Sequence, residues 1–359
     1  MDNSQFVPNS DFDLDQSGKV CWEAPSNIAL VKYWGKREPQ IPLNPSISFT
    51  LDHCKTHTEL SFSPRRGAVD WFSVYMEGER KPDFEPKIAK FFERILTYCP
   101  FLNDYNWKID TRNSFPHSSG IASSASGMAA LAAALLEVEQ LLRGQEMDQR
   151  QTRRKVSFLA RLGSGSACRS VDGGLVVWGE HPDVNGSSNL FGVPLENEIH
   201  PLFTNYHDTI MLVHKGQKVV SSTVGHGLMH AHPYAERRFE QANQNLGRIL
   251  PVLKSGDLDQ FVQIVEAEAL DLHAMMLTSE PNFILMKPGT LQIIEKVREY
   301  RKNTGNHLCF TLDAGANVHL LYPDNEAEEV LEFIKTHLAK YCENGAYLCD
   351  QVGSGVKKC

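Results

Sequence analysis

The sequence lacks the short motifs that identify the commonest nucleotide-binding folds. It has no Gly-x4-Gly-Lys-Ser/Thr segment, and no Gly-x-Gly-x-x-Gly segment joins a predicted strand to a predicted helix. Any phosphate-binding loop in this chain must therefore be of another design. The eight cysteines are scattered and form no Cys-x-x-Cys pair. We expect the reduced, mostly buried thiols of a cytosolic protein, with the terminal Cys359 exposed and open to oxidation.

The sequence also has fewer positively than negatively charged residues, and it lacks long apolar runs. Lysine and arginine number 36 against 44 aspartates and glutamates, a net charge of −8, which argues against a nucleic-acid partner but leaves room for a local basic pocket. We find no apolar run long enough to span a bilayer, and expect no membrane partner. Residues 1–19 are polar and acidic, without the apolar core of a signal peptide. They are predicted to be a disordered or loosely attached extension of a cytoplasmic protein.

The chain is long enough for two domains. It has 359 residues, of which 42% are apolar and 22% charged, a composition typical of a globular protein. We place the boundary just before a strand that begins at His207, which gives an N-terminal domain over 20–204 and a C-terminal domain over 205–359. Periodicity predicts helices over 87–98, 150–162, 234–253, 258–277, 289–302 and 326–341. It predicts strands on either side of Pro25 and over 42–51, 56–62, 69–76, 107–110, 175–178, 207–213, 307–312 and 318–322.

One serine-rich stretch, 113–128, dominates the pattern. It passes directly into a run of alanine and leucine, which are strong helix formers, and Gly144 is a plausible helix stop. The Ser/Gly run therefore lies at a helix N-terminus, where free N–H groups and the helix dipole favour an anion such as phosphate. Serine and glycine also cap helices that bind no ligand, and the run alone does not decide between the two.

Three further features are candidates for chemistry. Lys32 and Lys36 flank two aromatic residues, either as a solvated edge or as a pocket for an anionic substrate. A second Gly/Ser run over 163–170 contains Arg169. Asp313 follows an apolar strand, either as a turn aspartate that binds its own backbone or as a general base at a strand end. Positive charge from Arg169 and the lysines would favour the second reading by keeping the carboxylate ionised.

The histidines give a weaker signal. His226, His230 and His232 are close in sequence, but only the first two have helical i,i+4 spacing and no third ligand lies near them, so we expect no metal site. Asp271 and His273 are too close along one helix to face each other. No Ser-His-Asp arrangement follows from spacing alone.

Together, the motifs point to one family. The segments 24–36 (Ala-Pro-Ser-Asn-Ile-Ala-Leu-Val-Lys-Tyr-Trp-Gly-Lys), 115–127, 163–170 (Gly-Ser-Gly-Ser-Ala-Cys-Arg-Ser), 220–223 and 312–317 resemble those of mevalonate diphosphate decarboxylases, in the same order. This family is a branch of the GHMP kinase superfamily. The resemblance implies an α+β fold of two domains, an N-terminal domain like ribosomal protein S5 domain 2 and a ferredoxin-like C-terminal domain, with the site between them. It is compatible with a homodimer.

The resemblance also implies a reaction. ATP, with Mg²⁺ bridging its oxygens, would phosphorylate the 3-hydroxyl of (R)-5-diphosphomevalonate. Loss of phosphate and carbon dioxide would then give isopentenyl diphosphate. Hydroxide is a poor leaving group and phosphate is a good one, so phosphorylation makes the elimination feasible.

Residue roles follow from the same resemblance. Asp313 would deprotonate the 3-hydroxyl, Lys32 would pair with that carboxylate, and Arg169 would bind the substrate carboxylate. Ser124 would lie close to the reacting groups. The substrate and its diphosphate would be held by Asn27, Tyr33, Lys36, Ser164, Gly165, Ser166 and Ser222. The ATP phosphates would be wrapped by Ser118, Ser119, Gly120, Ala122, Ser123 and Ser124.

Some positions depart from the family pattern. His117-Ser118-Ser119 stands where many members have Thr-Ala-Ala, and Ala316 stands where proline is common. Thr223 replaces an arginine that touches the diphosphate in several bacterial members, which leaves open how the diphosphate is bound. Three alternatives therefore stay open: a phosphomevalonate decarboxylase acting on the monophosphate, a mevalonate-type 3-kinase that stops at the 3-phosphate, and a non-catalytic nucleotide sensor. Retention of Asp313, Lys32 and Arg169 argues against the last two.

Overall fold

A computed structural model describes residues 3–9, 12–67, 71–116, 121–195, 199–216 and 222–359, with the backbone alone at 222 and 223. Its strands are β1 (Gly18–Val31), β2 (Lys36–Arg37), β3 (Ile41–Pro42), β4 (Ser46–Pro64), β5 (Phe72–Met76), β6 (Glu79–Arg80), β7 (Tyr105–Asn113), β8 (Leu175–Trp178), β9 (Val193–Pro194), β10 (His207–Met211), β11 (Cys309–Leu312), β12 (Val318–Tyr322), β13 (Tyr347–Gln351) and β14 (Lys357–Lys358). Its α-helices are α1 (Glu85–Ile95), α2 (Ser123–Arg143), α3 (Gln149–Gly163), α4 (Ser222–Gly227), α5 (Ala235–Ser255), α6 (Leu258–Leu277), α7 (Pro288–Thr304) and α8 (Ala327–Phe333).

The N-terminal sheet is built on two long antiparallel strands, β1 and β4. Its order is β14-β1-β4-β7-β5-β6, with β8 and β9 attached to the far end of β4. We expected Pro25 to break the first strand, but β1 continues through it, because a shift of register between Pro25 and Asn27 accommodates the missing N–H. The two strands predicted over 42–51 and 56–62 are likewise one continuous strand, β4, of 19 residues.

Helix α2 is the core of the N-terminal domain. It begins right after Ala122, which has a left-handed φ of 39°, and it ends at Gly144 as the sequence predicts. Alanines along its length are fully buried, which lets it lie close to the sheet and to α3. By length and composition this helix could cross a membrane, contrary to our expectation from the sequence. Most of its apolar window is buried inside the fold, as in the core helix of a globular domain.

The C-terminal part has its own antiparallel sheet, with the order β11-β12-β10-β13. Helix α6 packs against β11 and also reaches β1 of the other sheet. A second link is Asp350 on β13, whose carboxylate accepts hydrogen bonds from the N–H groups of Asp52, His53 and Cys54 on β4. The helix predicted over 326–341 is interrupted, since α8 gives way at Ile334 to a short π-helical turn.

Both ends of the chain are tied to the N-terminal domain. We expected residues 1–19 to be loosely attached, but Phe6 is buried and stacks on Phe158 with 4.1 Å between ring centroids. Strand β14 pairs with β1, and Cys359 forms a disulfide with Cys21. The expectation that all eight cysteines are reduced is therefore wrong for this pair. The others are free thiols, buried except for Cys349.

Candidate active site

A cavity of about 680 Å³ lies where the two parts of the chain meet. Its volume is within the range of ligand pockets. It brings together most of the residues that the sequence singled out: Lys32, Tyr33, Lys36, Ala122, Ser123, Ser124, Ser164, Gly165, Ser166, Arg169 and Asp313. Segments more than 280 residues apart in the chain, such as those of Lys32 and Asp313, thus share one wall.

Lys32 and Asp313 form an ion pair at the centre of this cavity. Asp313 lies in the turn after β11, and Lys32 directly follows β1. The Lys32 Nζ donates to Asp313 Oδ1 at 3.1 Å, with the lysine side chain 1% exposed and the aspartate 27% exposed. Burial lowers the pKa of Lys32, and the negative charges of Asp313 and Glu268 oppose that shift. The carboxylate thus opens to the cavity while its cationic partner is held behind it.

Helix α6 holds both members of this pair, through two residues that sequence reasoning missed. The backbone N–H of Lys32 donates to Glu268 Oε2 at 2.8 Å. The backbone carbonyl of Asp313 accepts from His273 Nε2 at 3.1 Å. Glu268 is itself fixed by Arg238 and by Asn245, at 2.5 and 2.7 Å. Burial lowers the pKa of His273 to about 4, so the ring is neutral and its proton is on Nε2.

Arg169 lines the same cavity, in a short 3₁₀ turn after α3. Its guanidinium is buried and donates to Ser46 Oγ and, at 3.4 Å, to Asn27 Oδ1. The Asn27 amide in turn donates to Ser170 Oγ at 2.8 Å. Burial lowers the pKa of Arg169, and Asp313 is among the groups that oppose this. Asn27, predicted to contact substrate, here orients the arginine, and its contact with substrate stays a prediction.

Two small-residue segments form the floor. Ser124 in the first turn of α2 lies 3.3 Å from Ser164, Oγ to Oγ, so the two serine-rich runs of the sequence are adjacent in space. Gly165 is required by packing, because a Cβ there would lie 2.8 Å from the Tyr33 hydroxyl oxygen. The N-terminal turn of α2 lines the cavity through Ser123 and Ser124, and the first N–H groups of a helix have no partner within the helix, as an anion site needs. Ser118, Ser119 and Gly120 lie outside the described residues, as does the side chain of Ser222.

Three residues that line the cavity have a buried polar atom without a hydrogen-bond partner in the described part of the chain. Among the described residues, Tyr33 Oη, Trp34 Nε1 and Arg169 Nε are buried without a hydrogen-bond partner. Lys36 donates to Gln40 Oε1 at 2.7 Å, and burial lowers its pKa; Glu38 opposes this shift, while Arg94 and Lys90 act in the same direction as burial. Unpaired buried donors are costly, so this arrangement fits a polyanionic ligand.

Among the residues that the structure describes, no cluster resembles a metal site. In the part of the chain that the structure describes, no group of three or more His, Cys, Asp or Glu side chains could hold a metal ion. The exposed helix N-terminus and the donor-rich walls do fit nucleotide phosphates. A divalent ion would then be carried mainly by those phosphates and by water.

The fold and the site define a class, the two-domain α+β enzymes of the GHMP kinase type. A family model for the "Diphosphomevalonate decarboxylase-like N-terminal domain" matches residues 24–189, and one for the "Mevalonate 5-diphosphate decarboxylase C-terminal domain" matches residues 209–354. A diphosphomevalonate decarboxylase of Ganoderma lucidum is 32% identical over 87% of this chain and 80% of its own length. The chain therefore belongs to the diphosphomevalonate decarboxylase family.

Solved structures agree. The mevalonate diphosphate decarboxylase of Staphylococcus aureus superposes with a TM-score of 0.81 at 26% identity, over 97% of this chain and 99% of that one. The enzyme MDDEF in complex with MVAPP, AMPPCP and magnesium gives a TM-score of 0.80 at 27% identity, over 96% of this chain and 99% of that one. These matches confirm the two-domain α+β fold predicted from the sequence.

Proposed function

We propose that this cavity carries out the ATP-dependent decarboxylation of (R)-5-diphosphomevalonate, giving isopentenyl diphosphate, carbon dioxide, ADP and phosphate. The activity itself, in the mevalonate pathway of isoprenoid biosynthesis, is that of the family to which the chain belongs. The assignment of its steps to particular residues is our proposal. The observation that carries it is the Lys32–Asp313 pair, held at 3.1 Å in the same cavity that Arg169 lines.

Asp313 accepts the proton of the 3-hydroxyl. Its exposed carboxylate is the basic group that opens to the cavity beside a buried cation, as a general base requires. Lys32 keeps that carboxylate oriented and places positive charge beside the phosphoryl group during its transfer. Bound ATP with Mg²⁺ supplies the phosphoryl group that converts the hydroxyl into a leaving group.

Arg169 binds the substrate carboxylate with its planar guanidinium. When the C3–O bond breaks, phosphate departs with the electron pair of that bond. The electrons of the carbon–carboxylate bond then form the new double bond and release carbon dioxide. Arg169 holds the carboxylate in the orientation that this elimination needs, and Asn27 and Ser46 hold Arg169.

The remaining polar groups bind phosphates. Ser123, Ser124 and the N–H groups of the first turn of α2, together with Ala122 and the residues 118–120, bind the ATP phosphates. Tyr33, Lys36 and the turn of Ser164, Gly165 and Ser166 bind the substrate diphosphate, with Ser222 nearby. The unpaired donors of this region support that assignment.

A single assay tests the proposal. Purified protein is given ATP, Mg²⁺ and, separately, mevalonate, 5-phosphomevalonate or 5-diphosphomevalonate, while ADP, phosphate and labelled carbon dioxide are followed together. We expect carbon dioxide from the diphosphate alone. Carbon dioxide from the monophosphate would reassign the substrate, ADP without carbon dioxide would indicate a kinase, and no ADP would overturn the proposal.

Location, assembly and domain limits are part of the proposal as well. We propose a cytoplasmic protein that forms a homodimer, with domains over 20–204 and 205–359. Light scattering after size-exclusion chromatography measures the mass of the protein in solution. A mass of 40.3 kDa, that of one chain, would contradict the dimer. Cell fractionation with an antibody against the chain tests the location.

A further inference from the structure

His226 lies in the cavity wall with no role in the reaction described so far. It belongs to α4, lines the cavity and is 7% exposed. Its ring lies between those of Tyr33 and Trp34, at centroid distances of 4.2 and 4.7 Å. The two aromatic neighbours leave the ring little freedom to turn, so its two nitrogens have fixed directions.

The hydrogen bonding of this ring decides which nitrogen carries the proton. The backbone N–H of Gly35 donates to His226 Nδ1 at 3.0 Å, so Nδ1 is an acceptor and bears no proton. Burial, with help from Lys36 and Arg169, lowers the pKa of His226 to about 3. The imidazole is therefore neutral at physiological pH, and its proton is on Nε2. Within the described residues, Nε2 has no hydrogen-bond partner, and it is not among the fully buried unpaired atoms.

The surroundings of Nε2 indicate what it binds. Tyr33 and Trp34, the two residues that clamp the ring, each have a buried donor without a partner among the described residues. Of the charged groups that act on His226, Lys36 has the largest effect and Arg169 the next. Lys36, the group assigned to the diphosphate, lines the same cavity as His226. The indole N–H of Trp34 and the neutral Nε2–H of His226 can only donate, and the Tyr33 hydroxyl can donate as well, so a phosphate oxygen, which only accepts, is a suitable partner.

We propose that His226 is a further substrate-binding residue, which donates its Nε2–H to a phosphate oxygen of the substrate diphosphate beside Tyr33 and Lys36. This inference rests on the proposed function, since it takes the diphosphate end of the substrate to lie at Lys36. A neutral donor adds a directed hydrogen bond without adding a third cation to the pair formed by Lys36 and Arg169. His226 also connects the diphosphate to α4, the helix that begins at Ser222.

Two amide variants separate the two nitrogens. His226→Asn places its side-chain oxygen near the position of Nδ1, so it keeps an acceptor for Gly35 but loses the donor. His226→Gln reaches further and places an amide N–H near Nε2. We expect H226N to weaken binding of inorganic pyrophosphate and to raise the KM for diphosphomevalonate, both by roughly ten-fold to a hundred-fold. We expect H226Q to recover most of this loss, and the KM for ATP to change by less than about two-fold in both variants.

Nitrogen NMR on the unmodified protein gives a test that needs no variant. With ¹⁵N-labelled histidine, we expect His226 to show a protonated Nε2 and a bare Nδ1 in the free protein, and a downfield shift of the Nε2 proton when pyrophosphate binds. A protonated Nδ1, an unshifted Nε2 proton or an H226N variant that binds pyrophosphate as tightly as the original would overturn the inference. If the substrate assay gives no carbon dioxide, the proposed function fails, and the pyrophosphate titration still decides the role of His226.

Discussion

Asp313 and Lys32 depend on each other, and the dependence comes from burial. Lys32 is nearly inaccessible, and burial lowers its pKa, while the negative charges of Asp313 and Glu268 oppose that shift and favour the charged form. The aspartate keeps one side open to the cavity and can therefore act on a substrate. A carboxylate that forms an ion pair and is also open to the cavity can accept a proton from a substrate during a reaction. It can form the ion pair again once that proton has left.

Replacing Asp313 with asparagine tests its role as the base. The amide has the same shape but cannot accept the hydroxyl proton, so we expect kcat to fall by about 10²–10⁴-fold. The dissociation constant for ATP should change by less than about two-fold, because the nucleotide phosphates are assigned to the α2 end of the cavity. Rapid-quench kinetics and nucleotide titration measure the two quantities. Near-normal turnover in D313N would show that another group is the base.

The sequence could predict residues that line the cavity, but not the residues that fix their positions through hydrogen bonds. Lys32, Arg169 and Asp313 lie in segments whose composition is unusual for a core, and these segments also carry the resemblance to the family. Glu268 and His273 lie in a helix that reads as an ordinary amphipathic element. Their function depends on contacts with residues 236 and 40 positions away in the chain, and no local pattern records such contacts.

Helix α6 positions Lys32 and Asp313, although none of its charged side chains lines the cavity. Glu268 and His273 are five residues apart on it, and they fix the backbone of Lys32 and of Asp313 respectively. The two hydrogen bonds connect the end of β1 to the turn after β11. The backbones that carry Lys32 and Asp313 are therefore both fixed to one helix.

Replacing Glu268 with glutamine tests this alignment. The variant leaves Arg238 buried without its charge partner, so we expect a loss of about 3–5 kcal/mol in the free energy of unfolding. We also expect a fall in kcat of the folded enzyme, by at least about ten-fold, because glutamine replaces one of the two oxygens that accept from Lys32, Arg238 and Asn245 with a donor, so these groups must rearrange. Urea unfolding and steady-state kinetics below the unfolding transition measure the two effects.

Glu139→Gln is the matched control for that experiment. Glu139 is also a buried carboxylate paired with a buried cation, Lys155, at 2.7 Å, but it lies between α2 and α3 and does not line the cavity. We expect E139Q to lose a similar amount of stability and to keep the kcat of the unmodified enzyme. Equal losses of kcat in both variants would show that Glu268 stabilises the fold without positioning Lys32.

Helices and strands were predicted best where the repeat of apolar residues is complete within the element itself. Helix α6 and strand β12 have the predicted limits, since their apolar residues repeat without interruption over the whole element. Strand β1 was wrongly divided at Pro25, because the bulge that accommodates the proline is made possible by the pairing with β4. Strand β13 was missed, since its polar residues are stabilised by partners elsewhere: Asp350 binds three N–H groups of the other sheet.

At the scale of the whole molecule, the C-terminal segment is joined to strand β1 by a disulfide and by strand pairing. The Cys21–Cys359 disulfide joins residues 338 positions apart, and β14 adds its backbone hydrogen bonds to the same edge of β1. Cross-linking residues so far apart restricts the unfolded chain strongly, and such restriction is one source of stability. The terminal segment, polar and short, would otherwise have little to hold it on the sheet.

Cys359→Ser tests the contribution of this closure. We expect the variant to lose about 2–4 kcal/mol in the free energy of unfolding under oxidising conditions. The unmodified protein in excess dithiothreitol should come close to the variant, while C359S itself should not respond to dithiothreitol. Cys349→Ser, which removes a free exposed thiol, is the control and should behave as the unmodified protein. If C359S and the unmodified protein unfold at the same urea concentration without reductant, the disulfide does not stabilise the fold.

Acid stability depends on the histidines that connect the two parts of the chain. The pKa values of His226 and His273 are lowered from 6.5 to about 3 and about 4, in both cases mainly by burial. Between pH 6.5 and pH 4 the unfolded chain binds protons at both positions while the folded protein excludes them, so stability must fall as the pH falls. Each histidine contributes up to ~1.4 kcal/mol per pH unit to that slope.

His273→Gln separates this contribution from those of other titrating groups. The glutamine amide can still donate to the Asp313 carbonyl, but it does not titrate, so we expect the pH dependence of the unfolding free energy to become shallower by up to ~1.4 kcal/mol per unit between pH 6.5 and pH 4. Urea unfolding at half-unit steps of pH gives both slopes. Equal slopes for the two proteins would mean that His273 is protonated in the folded state, and a charged ring there would place a second cation beside Lys32. A neutral His273 instead leaves Lys32 as the cation that pairs with Asp313.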